Sequence, residues 1–286
     1  MGGNGDFGNS CPPDVFREHL ACLSRHGEFV SVQEGFERYQ SGDIKESIIS
    51  FWFDDGFVGV RKYAYSLLEK YNVKAAVSVN SKFMLKEEMF WRLKLSFLSQ
   101  VDGLRFLRSR LRKYGYKNSM LIRDFVLNEF SLSILDEIDA VYKIFTNELH
   151  RKDAFRVFND VEGIKWLRDN GWLIANHSAS HYPVGEDSCI GMFSDEYNEC
   201  EKVLNNTLAV KTKFWVLPFD RPSYRSEKLK EVFGGNDKEG RGLVLVGEKI
   251  NKEYNEKGKF LYRIHLPIIS GKEIIDYLGT ICYPDS

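Results

Sequence analysis

Apolar positions along the chain follow two spacings, the short runs of covered strands and the three-to-four-residue recurrence of amphipathic helices. Pro12-Pro13-Asp14 opens a helix carrying Val15, Phe16, Leu20 and Leu23, with His26-Gly27 at its end. A short strand at Phe29 to Val32 precedes a helix through Gly35 to Tyr39, which stops at Ser41-Gly42-Asp43. Ile48 to Phe53 is then an almost unbroken apolar run of strand length, as expected for a strand covered on both faces. Asp54-Asp55-Gly56 follows at its carboxyl end. Tyr63, Leu67 and Leu68 form the next helical stripe, and Ala75 to Val79 the next strand. Strand, helix, strand at this spacing is a βαβ unit, the repeat from which α/β sheets and barrels are built.

Between about residues 81 and 154 that rhythm stops. Phe90, Leu93, Phe97, Val101 and Leu104 fit one amphipathic helix, and Ile134, Leu135, Ile138, Val141, Tyr142 and Phe145 another. The segment reads as a mainly helical insertion in a single domain spanning residues 1–286. The rhythm resumes with a helix from Val161 to Asn170, closed by Gly171, and a strand from Trp172 to Ala175 that delivers Asn176 and two histidines. Further strands are expected at Lys213 to Leu217, Leu243 to Val246 and Arg263 to Ile268. In each candidate site segment the polar residues follow the strand, which is where α/β barrels and open α/β sheets gather their active sites.

Composition narrows the function classes. The 286 residues are 43% hydrophobic and 14% aromatic, enough for a sizeable core. Forty basic residues stand against 41 acidic, a formal charge of −1, so no whole-molecule field calls for nucleic acid or an acidic membrane surface. Cys11, Cys22, Cys189, Cys200 and Cys282 are odd in number and lack metal-type spacing, and they read as reduced thiols. Met1 to Cys11 is polar and glycine-rich without a basic leader and apolar stretch, and nothing approaches the ~20 apolar residues of a membrane span. The expectation is a soluble cytoplasmic protein of undetermined oligomeric state.

Two short motifs carry the chemistry. Asp54-Asp55-Gly56 taken alone also suits a solvated turn, since Asp and Gly favour turns. Asn176-His177-Ser178-Ala179-Ser180-His181 supplies a partner for it. Two histidines and one carboxylate are a usual donor set for a catalytic metal, with positions left open for water and substrate. The pair points to a metal-dependent hydrolase. Asn176 is expected to support the ligands, and His19, His26 and His150 read as helix residues without a site. Gly234-Gly235-Asn236 reads as a turn. Arg105, Arg108, Arg110, Arg112 and Lys113 suit an anionic ligand or, more simply, a solvated helical face.

These residues resemble the NodB-homology polysaccharide deacetylases, carbohydrate esterase family 4. Phe53-Asp54-Asp55-Gly56 is similar to the family's TFDDG motif, with Trp52 in place of Thr, and His177 to His181 matches H-[ST]-x-x-H. The likeness covers most of residues 12–80 and 156–225. It implies a distorted (β/α) barrel and removal of N-acetyl groups from amino sugars of a poly- or oligosaccharide or a glycan precursor. It also implies Asp55, His177 and His181 as ligands of a divalent metal, commonly zinc, and Asp54 as the general base.

The third family motif fits in two registers. Arg221-Pro222-Ser223-Tyr224 resembles an R-x-P-Y form, and Phe214 to Asp220 resembles F-A-Y-P-[FY]-G, which strand placement favours. In the second register Pro218 and Phe219 shape the groove wall, with the Phe219 backbone N–H available to an oxyanion. Arg221 would then orient Asp54 or be a surface residue. His265, the only late histidine, is the candidate catalytic acid or a structural residue, and Arg263-Ile264 resembles a strand motif of a branch in which that His is dispensable. Two departures stand out: no His-bearing strand is clear before the first helix, and the two metal motifs lie unusually far apart. The alternatives are another metal-dependent amidase or esterase on the same scaffold, and a non-catalytic carbohydrate-binding relative.

Overall fold

The computed structural model describes residues 11–219, 227–236, 240–246, 251 and 260–282. Among these residues the framework is eight parallel strands: β1 (Glu28–Phe29), β2 (Ile48–Ile49), β3 (Trp52–Phe53), β4 (Ala76–Val79), β5 (Leu173–Asn176), β6 (Phe214–Val216), β7 (Gly242–Val246) and β8 (Phe260–Arg263). β1 and β2 pair with each other, and β3 to β8 form one sheet whose spatial order is the chain order. Sequential parallel order requires a crossover after every strand, and helices lie on the connections from β3 through β7.

The apolar run at Ile48 to Phe53 is not one strand. Ile48 and Ile49 pair with Glu28 and Phe29, whereas Trp52 and Phe53 pair with Ala76 and Val77. The chain changes partner between the two, and the Ser50 hydroxyl donates to Ser31 O at 3.3 Å on the way. Phe29 likewise ends its strand early, because Ser31 caps a helix over Val32–Ser41 by accepting from Glu34 N. The last strand, too, ends at Arg263 and does not run on to Ile268.

Between β4 and β5 the chain runs through helices at Ser81–Met84, Trp91–Gln100, Gly103–Leu111, Ile122–Asn128, Leu132–Phe145 and Glu148–Ala154. The stripe from Phe90 to Leu104 thus falls on two helices. They break at Asp102, whose φ is 56°, and a Cβ on Gly103 would stand 2.4 Å from Leu98 Cδ2. Only glycine permits that approach. The helices bury Trp91, Leu98, Leu107, Leu111, Val126, Ile138 and Val141, a core continuous with Trp215 and Leu243 of the sheet. A second core joins Phe16 and Leu20 of helix Pro13–Leu23 to Leu68, Val77 and Ile164. The segment at Gly234-Gly235-Asn236 belongs to helix Glu227–Asn236, not to a turn.

The sheet is curled. Six strands laid flat would hold their edges roughly 24 Å apart, at about 4.8 Å per spacing. Yet Asp54, directly after β3, forms an ion pair with Arg263 at the end of β8. Contact between the two edges at their carboxyl ends makes the sheet a half-barrel of the (β/α) type, with the site residues gathered at its mouth. No helix among the described residues is long and apolar enough to cross a membrane.

Candidate metal centre

Register places the two motifs side by side. β4 lies between β3 and β5, and Val79 pairs with Asn176, so the residues leaving β3 and β5 converge over the end of β4. His177 N donates to Val79 O at 3.0 Å, and Asn80 donates from its amide to Ser178 O at 3.3 Å.

Both motifs take backbone conformations that side chains rarely adopt. Asp55, Gly56, Ser178 and His181 have φ of 63°, 64°, 68° and 57°. Such conformations persist only where the surroundings over-determine them. Here Asn159 donates to Gly56 O at 3.1 Å and Phe57 O at 2.9 Å. Around the histidines, Asn176 Oδ1 accepts from Ser178 N at 3.0 Å, Ser178 Oγ from His181 N at 3.0 Å, and Glu196 Oε2 from Ser180 N at 2.8 Å.

Asp55, His177 and His181 come together, with one ligand atom of each within 4.8 Å of the others. Nε2 of His177 and of His181 lie 3.4 Å and 3.0 Å from Asp55 Oδ1, but neither contact has hydrogen-bond geometry, and that oxygen is buried without a hydrogen-bond partner. Nδ1 of His177 lies 2.9 Å from Val216 O. A carbonyl only accepts, so the proton sits on Nδ1 and the Nε2 lone pair faces Asp55. Burial pushes the His181 imidazole below its usual value despite the nearby Asp55 carboxylate. Burial also raises the Asp55 carboxyl, but His181 and His177 together hold it well below the usual carboxylate range. One carboxylate oxygen and two ring nitrogens are thus aimed at one point, where their lone pairs would converge on a bound cation. The donor set fits a divalent metal.

The two histidines are supported differently. His177 has its hydrogen bond to the sheet, whereas Nδ1 of His181 is buried with no hydrogen-bond partner. The His181 ring is instead flanked by Phe90 at 4.5 Å and Phe219 at 4.7 Å between centroids, and meets the His177 ring edge-on at 4.8 Å. Trp91 packs behind Phe219 at 5.9 Å.

Asp54 sits beside this cluster but does not join it. Ser78 Oγ donates to its Oδ1 at 2.6 Å, and Arg263 Nη1 donates to the same atom. Burial raises the Asp54 carboxyl, yet Arg263 and His177 more than offset it and leave the group below its usual value. Its side chain stays 34% exposed, so the ionised carboxylate remains reachable from the mouth.

The other expected residues fare unevenly. Phe219 lines the cluster, and Pro218 is buried directly before it. Asn176 supports the histidine turn, donating to Tyr197 O at 2.8 Å. Arg221 lies outside the described residues. The arginine found on Asp54 is Arg263, a residue noted in the sequence only for its strand motif. His265 is exposed and takes part in none of the contacts that hold Asp54 or Asp55; its backbone carbonyl accepts from Tyr277 Oη at 3.3 Å. Ser78, Asn80 and Asn159 escaped notice, although a polar residue closing an apolar strand was a usable signal for Asn80. In the basic run, Arg110 and Lys113 pair with Glu137 at 2.7 Å and 2.6 Å. Cys11, Cys22, Cys189 and Cys200 are free thiols.

No family model and no curated protein matches the chain. Solved structures do. A deacetylase from Streptococcus pyogenes, PplD in complex with acetate, aligns at 14% identity with a TM-score of 0.58, over 97% of this chain and 93% of its own. A de-N-acetylase from Aggregatibacter actinomycetemcomitans aligns at 12% identity and TM-score 0.55, over 93% of this chain and 88% of its own. A polysaccharide deacetylase from Bacillus cereus aligns at 13% identity and TM-score 0.55, over 97% of this chain and 65% of its own. The chain has the fold of these deacetylases, and its Asp54, Asp55, His177 and His181 stand at the mouth of that fold.

Proposed function

We propose that the chain is a metal-dependent deacetylase that hydrolyses the N-acetyl group of an amino sugar in a poly- or oligosaccharide or a glycan precursor. The observation that carries the reading is the juxtaposition of two acidic groups with different surroundings. Asp55 meets His177 and His181 through an Oδ1 without a hydrogen-bond partner, while Asp54 is tied to Arg263 and Ser78 and faces the mouth. Likeness of fold to deacetylases supports the same reading.

Asp55, His177 and His181 would hold the metal, and their nitrogen and oxygen donors suit zinc. A divalent metal held there would supply Lewis acidity toward an acyl carbonyl and a water. Asp54, ionised and held in place, accepts the proton of the attacking water. Phe219 and Pro218 form one wall of the groove, with the Phe219 N–H available to the carbonyl oxygen as negative charge develops on it. His265, two residues beyond Arg263, is the candidate donor of a proton to the leaving amine.

The test is acetate release from N-acetylglucosamine oligomers. Release should vanish with a chelator, return with zinc, and fall about a hundredfold or more in Asp54→Asn. Release that persists without metal overturns the mechanism. Oligomer binding without release favours a non-catalytic carbohydrate-binding protein, and release of other acyl groups favours a different amidase or esterase.

A further inference from the structure

Ser78 is the one hydroxyl in the otherwise apolar strand β4, and it is completely buried. A buried hydroxyl needs a use for its proton and its lone pairs. Its oxygen lies 2.6 Å from Asp54 Oδ1 and 3.4 Å from Phe53 O, so the single proton goes to the carboxylate. Trp52 Nε1, which can only donate, lies 3.3 Å from Ser78 Oγ and fills its acceptor side. The residue that departs from the Thr of the TFDDG motif therefore contacts, through one hydroxyl, the acidic residue two positions later.

The stereochemistry has a consequence for Asp54. Ser78 and Arg263 both donate to Oδ1, and among the described residues none donates to Oδ2. One oxygen is an anchor, and the other has lone pairs that no described residue uses.

We infer that Trp52 and Ser78 are positioning residues that lock the Asp54 carboxylate, with Oδ1 as the anchor and Oδ2 as the atom that takes the proton. The inference rests on the reading of Asp54 as the base. In that step a water O–H bond breaks, its proton passes to Oδ2 and its oxygen bonds the acyl carbon. The C–N bond then breaks, its electron pair stays on the nitrogen, and the nitrogen takes a proton from the proposed acid His265, while the proton on Oδ2 returns to solvent. Neither Trp52 nor Ser78 touches the reacting atoms. Their contribution is to keep Oδ2 aimed, and misaim by about an ångström costs roughly a hundredfold in rate.

Ser78→Ala, Ser78→Thr and Trp52→Phe test this in the zinc-loaded chain. Ser78→Ala should lower kcat for acetate release about tenfold to a hundredfold with KM within about twofold. Ser78→Thr keeps the hydroxyl on a strand-compatible side chain and should recover most of the loss. Trp52→Phe keeps the ring against Phe214 and removes only the N–H, and should cost about threefold in kcat. A kcat for Ser78→Ala within about twofold of the unaltered chain overturns the inference, as does a loss appearing wholly in KM. A second readout needs no turnover. In the nitrogen-15 indole spectrum the signal lost in Trp52→Phe belongs to Trp52, and Ser78→Ala should shift it; an unmoved signal overturns the relay. If the unaltered chain releases no acetate while that signal does move, the proposed reaction falls and the hydrogen-bonded relay stands.

Discussion

The mouth of the half-barrel and the helical segment at 81–154 are held together by different forces. At the mouth, Asp54, His177, Ser178 and Ser180 are fixed by hydrogen bonds to Ser78, Val216, Asn176 and Glu196, each with one direction and one length. In the helical segment Trp91, Leu98, Leu107, Ile138 and Val141 are fixed by burial alone. Directional bonds specify geometry with little apolar burial, and packing stabilises the fold while tolerating small shifts. Function and stability should therefore separate along the chain. Removing a donor at the mouth should cost chemistry, and removing a core side chain from the helices should cost stability.

The widest separation is expected between His177→Ala and Leu98→Ala. The first removes one of three proposed ligands and should weaken zinc binding by about a thousandfold, read by isothermal titration. The second empties a fully buried position and should lower unfolding free energy in urea by about 2–5 kcal/mol, with zinc affinity of the folded protein almost unchanged. A Leu98→Ala variant as defective in zinc binding as His177→Ala would erase the distinction between the two regions.

Phe90 lies where the regions meet, and its substitution sharpens the boundary. Its ring stands 4.5 Å from that of His181, which has no hydrogen bond on Nδ1. Packing here does the work that a hydrogen bond does for His177. Phe90→Leu keeps much of the apolar volume but loses the flat face, and zinc affinity should fall about threefold to tenfold. The same titration giving unchanged affinity would mean that Phe219 alone is sufficient to hold the ring.

How much of this could be read from the residues follows from the same division. Asp54, Asp55, His177 and His181 stood out because each pair closes an apolar run with polar side chains, a local pattern. An α/β sheet or barrel followed from the alternation of strands and helices, and its distorted barrel form from the family resemblance. Arg263 did not stand out as the partner of Asp54, because the two lie 209 residues apart and meet only when the sheet curls. Arg221 drew attention instead, on a motif register that says nothing about closure. Ser78 read as part of an apolar strand, since one hydroxyl among Ala76, Val77 and Val79 barely disturbs the pattern. The switch of partner between Ile49 and Trp52 left no trace in periodicity at all, since both halves of that run suit a covered strand. Gly103 was a visible sign of the helix break at Asp102, but the stripe of apolar residues running across it was the stronger signal.

The smallest effect belongs to a solvent-screened polar clasp within the helical segment. Glu137, on helix Leu132–Phe145, accepts from Lys113 and from Arg110 of helix Gly103–Leu111, and these contacts hold its carboxyl below the usual value. A carboxyl lowered on folding stabilises the protein above its unfolded pKa of about 4.3, and that contribution is lost as pH falls through the folded value. Both cations are largely exposed, at 46% and 60%, so solvent screens the pair. Glu137→Gln should therefore lower the melting temperature at pH 7 by no more than about 2–3 °C. The gap between variant and unaltered chain should narrow as pH falls below about 4.3 and close once pH has passed the lowered folded value, where both side chains are neutral. A gap that widens in acid would mean that Glu137 is held in its protonated form, and that the clasp is not ionic.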